Sequence, residues 1–504
     1  MLVSQHLSPV ALRNGTKIAF DYLKFKITYK DFWETANRFS YFLQKEIGHG
    51  NRVGIWMSNC PQYAYVFIAL SNTKNCSVPL NPNASPEELI FKIKNSELSI
   101  ILCSTDHQRK LREFLQQNGF GSIKVIEMES KRCAEYDTSY TPPSSHVPNE
   151  NDEILIFYTP GTTGKYKGCV FNHKAVCQAI TSVKGAHKTL PTDVFFTQFN
   201  FSSPFHFIHF LLAPLYAAAT VYISDATDPK ELIPSFTEHR ITRVAPNLNL
   251  LGDLLMATET ENLPIPTVKY FVINGRTIST TLWDLIQKHS KASVLQVYGM
   301  TEYLGTIAMN TPDVKATPEH PGMVGPAVVG AKVRVVDDNN DEIDKKKPQK
   351  GQLLVMGPAM MTKYLNLPDD QKMNVRGTWL FTGDSVEITE GNIHFLDRKA
   401  DLVTLEDGRQ ISPKEIEVFV RDIPQIDDVA YIGVKTAMKK PVSLLILTKK
   451  EGALITEKQI QELLAGKVAK EKLPNAIFFI DAMPKTVAGV INRTKLRGLY
   501  DGAV

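Results

Sequence analysis

Short apolar runs alternate along this chain with stretches whose apolar residues recur every three or four positions, which predicts strands and helices in turn. Residues 24–29 read as a strand, and Tyr29 through Leu43 then places Phe32, Ala36, Phe39, Phe42 and Leu43 on one helical face. A short buried strand follows at 52–57, a helix at 62–72, a strand at 76–80, a helix at 86–96 and a strand at 98–103. This alternation predicts an α/β subdomain with a largely parallel sheet. A polar, proline-containing stretch, 137–152, leads over the surface to a second α/β unit that reaches about Leu304. Its strands are expected at 154–158, 220–223, 243–246 and 268–273, and its helices at 229–239 and 279–289. Beyond Pro318 the pattern turns to strands at 331–336, 351–356 and 391–396, a β-rich subdomain.

From about Lys399 the chain is more charged and helical periodicity returns. Ser412, Pro413 and Glu415 give a serine cap, a proline at the first helical position and a glutamate three residues after the cap. Strands at 429–434, 442–447 and 476–479 and a helix at 456–471 complete a small α+β domain, hinged near residue 400. The expected architecture is α/β: a large N-terminal domain, 1–398, of two α/β subdomains plus the β-rich one, and a mobile C-terminal domain, 399–504.

Composition agrees with this division. At 504 residues the chain exceeds the length at which one core stops growing. Its 57 basic and 53 acidic residues leave a net charge of +4, too balanced for a nucleic-acid partner, and Lys345, Lys346 and Lys347 read as a solvated turn. Six cysteines without CxxC spacing suit a reducing compartment, and the first twenty residues lack a basic-then-apolar leader, so a cytoplasmic location is expected. Val194 to Ser224 carries no Asp, Glu, Lys or Arg and is long enough to span a bilayer. Asn200, Ser202, Ser203, Pro204, His206, His209 and Pro214 interrupt it, so a buried strand and core helix are expected, not a membrane partner.

The chemistry begins after the apolar run 154–158. Thr159, Pro160, Gly161, Thr162, Thr163 and Gly164 are followed by Lys165, Tyr166, Lys167 and Gly168. Glycines allow the backbone to approach an anion, successive N–H groups form a nest for phosphate oxygens, and Lys167 adds a point charge. It is not a Walker A loop, because Tyr166 stands five residues after Gly161 and no Gly-Lys-Ser/Thr follows. The stretch YTPGTTGKYKG resembles the YTSGTTGxPKG signature of the adenylate-forming (ANL) superfamily, which includes acyl-CoA synthetases, luciferases and adenylation domains. Pro160 replaces a serine and Tyr166 a proline. The PLNP run at 79–82 and the order of elements resemble the same superfamily over nearly the whole chain.

That resemblance implies an ATP-dependent activation of a carboxylic acid, with further site residues at matching motifs. Tyr298, Gly299, Thr301 and Glu302 resemble the YGMTE block, implying adenine stacking by Tyr298, a phosphate contact from Thr301 and Glu302 as ligand for Mg²⁺. Thr382-Gly383-Asp384 resembles the TGD turn, so Asp384 would accept the ribose hydroxyls, and Arg398, with Asp397 in place of glycine, would be the second ribose or phosphate contact. Phe205-His206 resembles the aromatic–histidine element beside the acyl carboxylate. Asn247, Leu248, Asn274, Gly275 and Arg276 would line the rest, and a charged Arg276 where relatives carry a small residue favours a small or cyclic acid over a long chain.

Two departures bear on mechanism. The hinge position two residues after Arg398 is Ala400, with Asp401 next, instead of Asp or Lys. Near the C-terminus, 484–490 reads PKTVAGV, so Val490 stands where the family's PKTxxGK ending has its lysine; Lys485 and Lys495 are candidates to replace it. The expected acceptor is CoA, with an amine such as an amino acid (as in coronafacate-ligase-like amide ligases), a separate carrier protein, or no transfer at all in a nucleotide-binding pseudoenzyme as alternatives.

Overall fold

The computed structural model describes residues 1–129, 134–160, 166–260, 264–275, 278–320, 322–337, 339–344, 349–367, 375–405, 408–421, 423–485 and 491–502. The chain divides into two compact units, neither a single stretch: one of Met1–Val333, Val355–Leu380 and Glu390–Ile393, the other of Arg334–Leu354, Phe381–Thr389 and His394–Val504.

The first unit holds two sheets of mixed α/β architecture. In the seven-stranded sheet the spatial order is Lys363–Tyr364, Tyr166–Asn172, Glu153–Pro160, Cys76–Leu80, Arg52–Trp56, Ile100–Cys103 and Lys124–Glu127. The central pairings are parallel, and the two that involve Tyr166–Asn172 are antiparallel. The eight-stranded sheet likewise has a parallel centre, Tyr270–Asn274 lying between Ser293–Tyr298 and Arg243–Ala245. Strand Cys76–Leu80 is buried at every position, as a run covered on both faces should be. The helices follow their caps: Thr28 accepts from Asp31 N at the start of Tyr29–Ile47, and Ser85 from Glu88 N at the start of Pro86–Asn95. The uncharged stretch folds as strand Val194–Thr197, a helical segment from Pro204 to Leu215 and strand Thr220–Ile223. Among the described residues no helix is long and apolar enough to cross a membrane.

In the second unit, Ile426–Lys435, Pro441–Lys449 and Ala476–Phe479 form a three-stranded sheet. Val429, Tyr431, Leu445 and Leu447 face one cluster with helices Lys414–Arg421 and Glu457–Ala465, while Ala430, Ile432, Leu444 and Ile446 face Leu496 of helix Arg493–Tyr500. The alternation of a strand thus feeds two cores from one sheet. The helix expected at 456–471 ends at Ala465; Gly466 is its C-cap residue, and the chain then turns. Thr382-Gly383-Asp384, expected as a turn, lies inside the strand Trp379–Thr389; Gly383, at φ +77°, lets the strand kink without stopping.

Candidate functional site

Strands Glu153–Pro160 and Tyr166–Asn172 form a hairpin whose last pairs are Thr159 with Lys167 and Pro160 with Tyr166. Thr159 and Lys167 therefore stand side by side at the stem of the glycine-rich loop. Gly161, Thr162, Thr163, Gly164 and Lys165 of the loop itself lie outside the described residues. Lys167 extends its ammonium over the Tyr364 ring, 5.3 Å from the centroid. Tyr364 reaches this place because its short strand pairs with the hairpin, opposite Cys169.

The phenol of Tyr364 donates a 2.8 Å hydrogen bond to Glu302 Oε1. Glu302 is only 6% exposed, and its other oxygen, Oε2, is buried with no hydrogen-bond partner among the described residues. A buried carboxyl oxygen left bare is costly and asks for a donor or a cation. The buried Cys169 thiol feels both neighbours: burial raises its pKa first, Glu302 adds to this, and Lys167 opposes it. Glu302 and Lys167 thus converge beneath the hairpin stem.

Glu302 is carried by a single 3₁₀ turn, Thr301–Tyr303, that follows strand Ser293–Tyr298. The chain doubles back at once: Gly305 N donates to Met300 O and Ile307 N to Tyr298 O. A Cβ at Gly299 would overlap the Gly305 carbonyl oxygen and lie 2.7 Å from Thr306 N. Tyr298 and Thr301 thereby occupy the strand end and the first turn residue. Asn274 ends the adjacent parallel strand opposite Val297 and is exposed, and Gly275 follows at φ +74°. Arg276 lies outside the described residues. Asn247 caps the helix Leu248–Thr260, its Oδ1 accepting from Leu250 N at 2.7 Å.

His206 closes a three-residue helical turn that runs into a π-helical segment, Phe207–Leu212, a feature that often marks functional sites. Its ring stacks on Phe199 at 4.6 Å between centroids and meets Phe205 edge-on at 4.7 Å. It is 8% exposed, its Nδ1 has no hydrogen-bond partner among the described residues, and burial drives its pKa from an ordinary 6.5 down to about 3. The imidazole is therefore neutral at physiological pH and packs as a polar-edged ring against Phe199 and Phe205.

Burial of neutral histidines has a consequence for acid stability. His173 is pushed down to about 4 by burial, and His187 and His209 fall well below their usual value for the same reason. Unfolded, these imidazoles bind a proton near pH 6.5; folded, His173 does so only at about 4, and His187 and His209 only well below their usual value. The unfolded state holds more protons in between, so stability is kept above pH 6.5 and lost as the pH falls toward 4. The urea midpoint is expected to drop clearly between pH 7.5 and 5.0, and an unchanged midpoint would contradict the neutral assignment.

The nucleotide contacts expected further along the chain belong to the second unit. Asp384 lies 3.9 Å from Arg398 Nε, and its backbone N donates to Thr382 Oγ1, whose hydroxyl donates to Leu353 O. Asp397 is engaged elsewhere: Oδ2 accepts from Ser412 Oγ at 2.5 Å and Oδ1 from Arg398 N. Ala400 sits in the 3₁₀ turn Lys399–Asp401, and Asp401 pairs with Arg497 at 2.9 Å. Lys485 pairs with Asp428 at 2.6 Å, and Val490 lies outside the described residues.

Sequence reasoning did not find Tyr364 or Phe199. Each meets its partner from a distant part of the fold or with no motif of its own, so a local pattern carried no signal.

A sequence model described as AMP-binding enzyme matches residues 8–365, and one described as AMP-binding enzyme C-terminal domain matches 415–489. The chain is 24% identical to a long-chain-fatty-acid–CoA ligase of Escherichia coli O157:H7, over 95% of this chain and 91% of that protein. It is 24% identical to 4-coumarate–CoA ligase 2 of Nicotiana tabacum, over 93% and 89%. ATP-bound MatB from Rhodopseudomonas palustris superimposes with a TM-score of 0.85 at 23% identity, each chain covered in full.

Proposed function

This chain belongs to the AMP-binding enzyme family, the adenylate-forming ligases that use ATP and form AMP, and we propose that it activates a small or cyclic carboxylic acid and passes the acyl group to CoA. In the first half-reaction a carboxylate oxygen attacks the α-phosphorus of ATP, the bond to the β-phosphate oxygen breaks, and pyrophosphate leaves. In the second, the CoA sulfur attacks the acyl carbonyl and AMP leaves; the thiol proton goes to solvent. No enzyme nucleophile is needed, because the adenylate is already activated.

The observation that carries this reading is the buried Glu302 with one oxygen anchored by Tyr364 and the other bare, beside the hairpin that holds Thr159 and Lys167. That bare oxygen fits Mg²⁺, which takes one or two protein carboxylates and completes its shell with phosphate oxygens and water. When bound, the ion would neutralise charge on the ATP phosphates. Lys167, Thr159, Thr301 and the loop residues Gly161, Thr162, Thr163 and Gly164 orient the phosphates. Tyr298 and Gly299 border the adenine, and Asp384 with Arg398 holds the ribose. The C-terminal domain, 399–504, turns between the half-reactions about the segment that follows Arg398.

The acyl group lies beside His206, and the sequence resemblance assigns Asn274, Gly275 and Arg276 to the rest of its lining. The rings of Phe199, Phe205, His206 and Phe210 lie within 6.4 Å of one another in successive pairs, which favours a flat cyclic acid.

Product analysis by mass spectrometry tests the reading. The protein is given ATP, Mg²⁺ and aliphatic, cyclic and aromatic acids, with CoA in one series and mixed amino acids in the other. The expected product is a thioester of a short or cyclic acid. Preference for long saturated acids would overturn the pocket assignment, and an amide without a thioester would move the acceptor to an amine. Absence of AMP with every acid would make the chain a pseudoenzyme, with Val490 as the reason.

A further inference from the structure

We propose that His209 is a positioning residue: a one-way chain of hydrogen bonds from His187 through His209 to Thr306 ties the turn bearing Thr301 and Glu302 to the helix bearing His206. The proposal rests on the adenylate-forming reading for the roles of those three residues, but the chain of bonds stands on its own geometry.

His209 is completely buried. Its Nδ1 lies 2.9 Å from His187 Nε2, and its Nε2 lies 2.6 Å from Thr306 Oγ1. The three residues come from three places in the fold. His187 ends the helix His173–His187, His209 sits in the π-helical segment one turn after His206, and Thr306 closes the doubled-back turn that begins at Gly299. Backbone packing holds the same turn from the other side. A Cβ at Gly305 would lie 3.1 Å from Phe205 N and 3.2 Å from Phe205 Cα, so the turn rests directly on the residue before His206. The His209 ring itself lies 4.4 Å from that of Phe205. Thr306 is therefore the polar bolt, and His209 its socket.

The direction of the chain follows from its end. Both imidazoles are neutral, because burial first holds them well below their usual value; His206 lowers His209 further, and His209 and the Arg243 guanidinium, which donates to His187 O and pairs with buried Asp193, lower His187 further. Each neutral ring has one N–H and one bare nitrogen. His187 Nδ1 is buried and has no hydrogen-bond partner among the described residues. If it carried the proton, a buried donor would be orphaned; if it is bare, only an acceptor is, and buried orphan donors are the rarer and costlier case. The proton of His187 is thus on Nε2 and donated to His209 Nδ1. His209 must then carry its own proton on Nε2 and donate it to Thr306 Oγ1. One orphaned nitrogen sets both tautomers.

A threonine hydroxyl that accepts in this way is locked in place, and with it the turn that aims Glu302. An error of about 1 Å in such an aim can cost about 100-fold in rate. His209→Leu, which keeps bulk and loses both bonds, is expected to lower kcat for acid-dependent pyrophosphate release about 30- to 100-fold, with KM for ATP within about 3-fold. Thr306→Val should act in the same direction, and the double variant should cost no more than His209→Leu alone, because one chain has been cut twice. His209→Gln, which restores a donor, should recover part of the loss.

Long-range proton–nitrogen NMR on the histidine-labelled full chain gives a readout that does not need activity. Both imidazoles should show the Nε2–H tautomer and should not titrate between pH 5.5 and 8.5, and Thr306→Val should shift the His209 signals most. An Nδ1–H tautomer at either ring, or full kcat in His209→Leu, would overturn the proposal. A wild-type protein that forms no adenylate with any acid would instead overturn the functional reading, while the NMR result would still decide the chain of bonds.

Discussion

Glu302→Gln is expected to cut acid-dependent pyrophosphate release by about 100- to 1,000-fold, the loss typical of a preorganised charge at the reacting centre. The substitution keeps the side-chain shape and the Oε1 that accepts from Tyr364, so the turn should stay where it is. What it removes is the bare Oε2, the atom with no hydrogen-bond partner among the described residues. A group retained only for stability would not be left in this state, because an uncompensated buried carboxyl oxygen is a liability to the fold. The thermal midpoint of the variant is therefore expected to equal or exceed that of the wild type, a gain in stability matched to a loss of function. Initial rates measured while ATP and Mg²⁺ are varied, together with melting curves, check both halves. A variant that keeps more than about a tenth of the rate would remove Glu302 from the metal-holding role, since that is far less than one preorganised group contributes.

Gly299→Ala is expected to cost about 3 kcal/mol of stability and most of the activity, through backbone overlap and not through chemistry. The added Cβ would collide with the Gly305 carbonyl and crowd Thr306 N, and these are backbone atoms that cannot rotate aside. Relief would require the turn from Met300 to Thr306 to open, carrying Thr301 and Glu302 with it. Gly185 provides the control. It lies in the helix His173–His187, and a Cβ there would meet nothing within 4 Å. Gly185→Ala should be neutral or stabilising by up to about 1 kcal/mol, the ordinary helix preference for alanine. Urea unfolding of the two variants separates them, and equal midpoints would show that the turn yields more easily than its geometry implies.

Much of this architecture was legible from residue order alone. Strands 76–80, 220–223 and 476–479 lie where the apolar runs placed them, because each is a short apolar run with polar or turn-forming residues at its ends. The helix beginning at Tyr29 follows its Phe32–Ala36–Phe39–Leu43 stripe, and all four are buried. The first strand of the hairpin, expected at 154–158, was equally visible, since a glycine-rich turn after an apolar run is a local signal; its partner strand, Tyr166–Asn172, was not expected. Where local signals compete, the pattern read too far. The periodicity of 456–471 continued past Gly466, the C-cap residue of a helix that ends at Ala465.

What only the tertiary structure decided are the properties that depend on residues far apart in the chain. Glu302 is held by a tyrosine 62 positions away, and Thr306 by a histidine 97 positions away. No spacing rule reaches that far. His206 was recognisable as a candidate, but its neutrality follows from burial against Phe199 and Phe205, which a sequence position does not carry. The grouping of 334–354 and 381–389 with 394–504 likewise follows from contact and not from order. Local pattern determines which segments become strands, helices and turns, because those depend on neighbours three or four residues away. Desolvation, and the partner left to each buried polar atom, depend on what the whole fold brings together, and there the chemistry of this site is set.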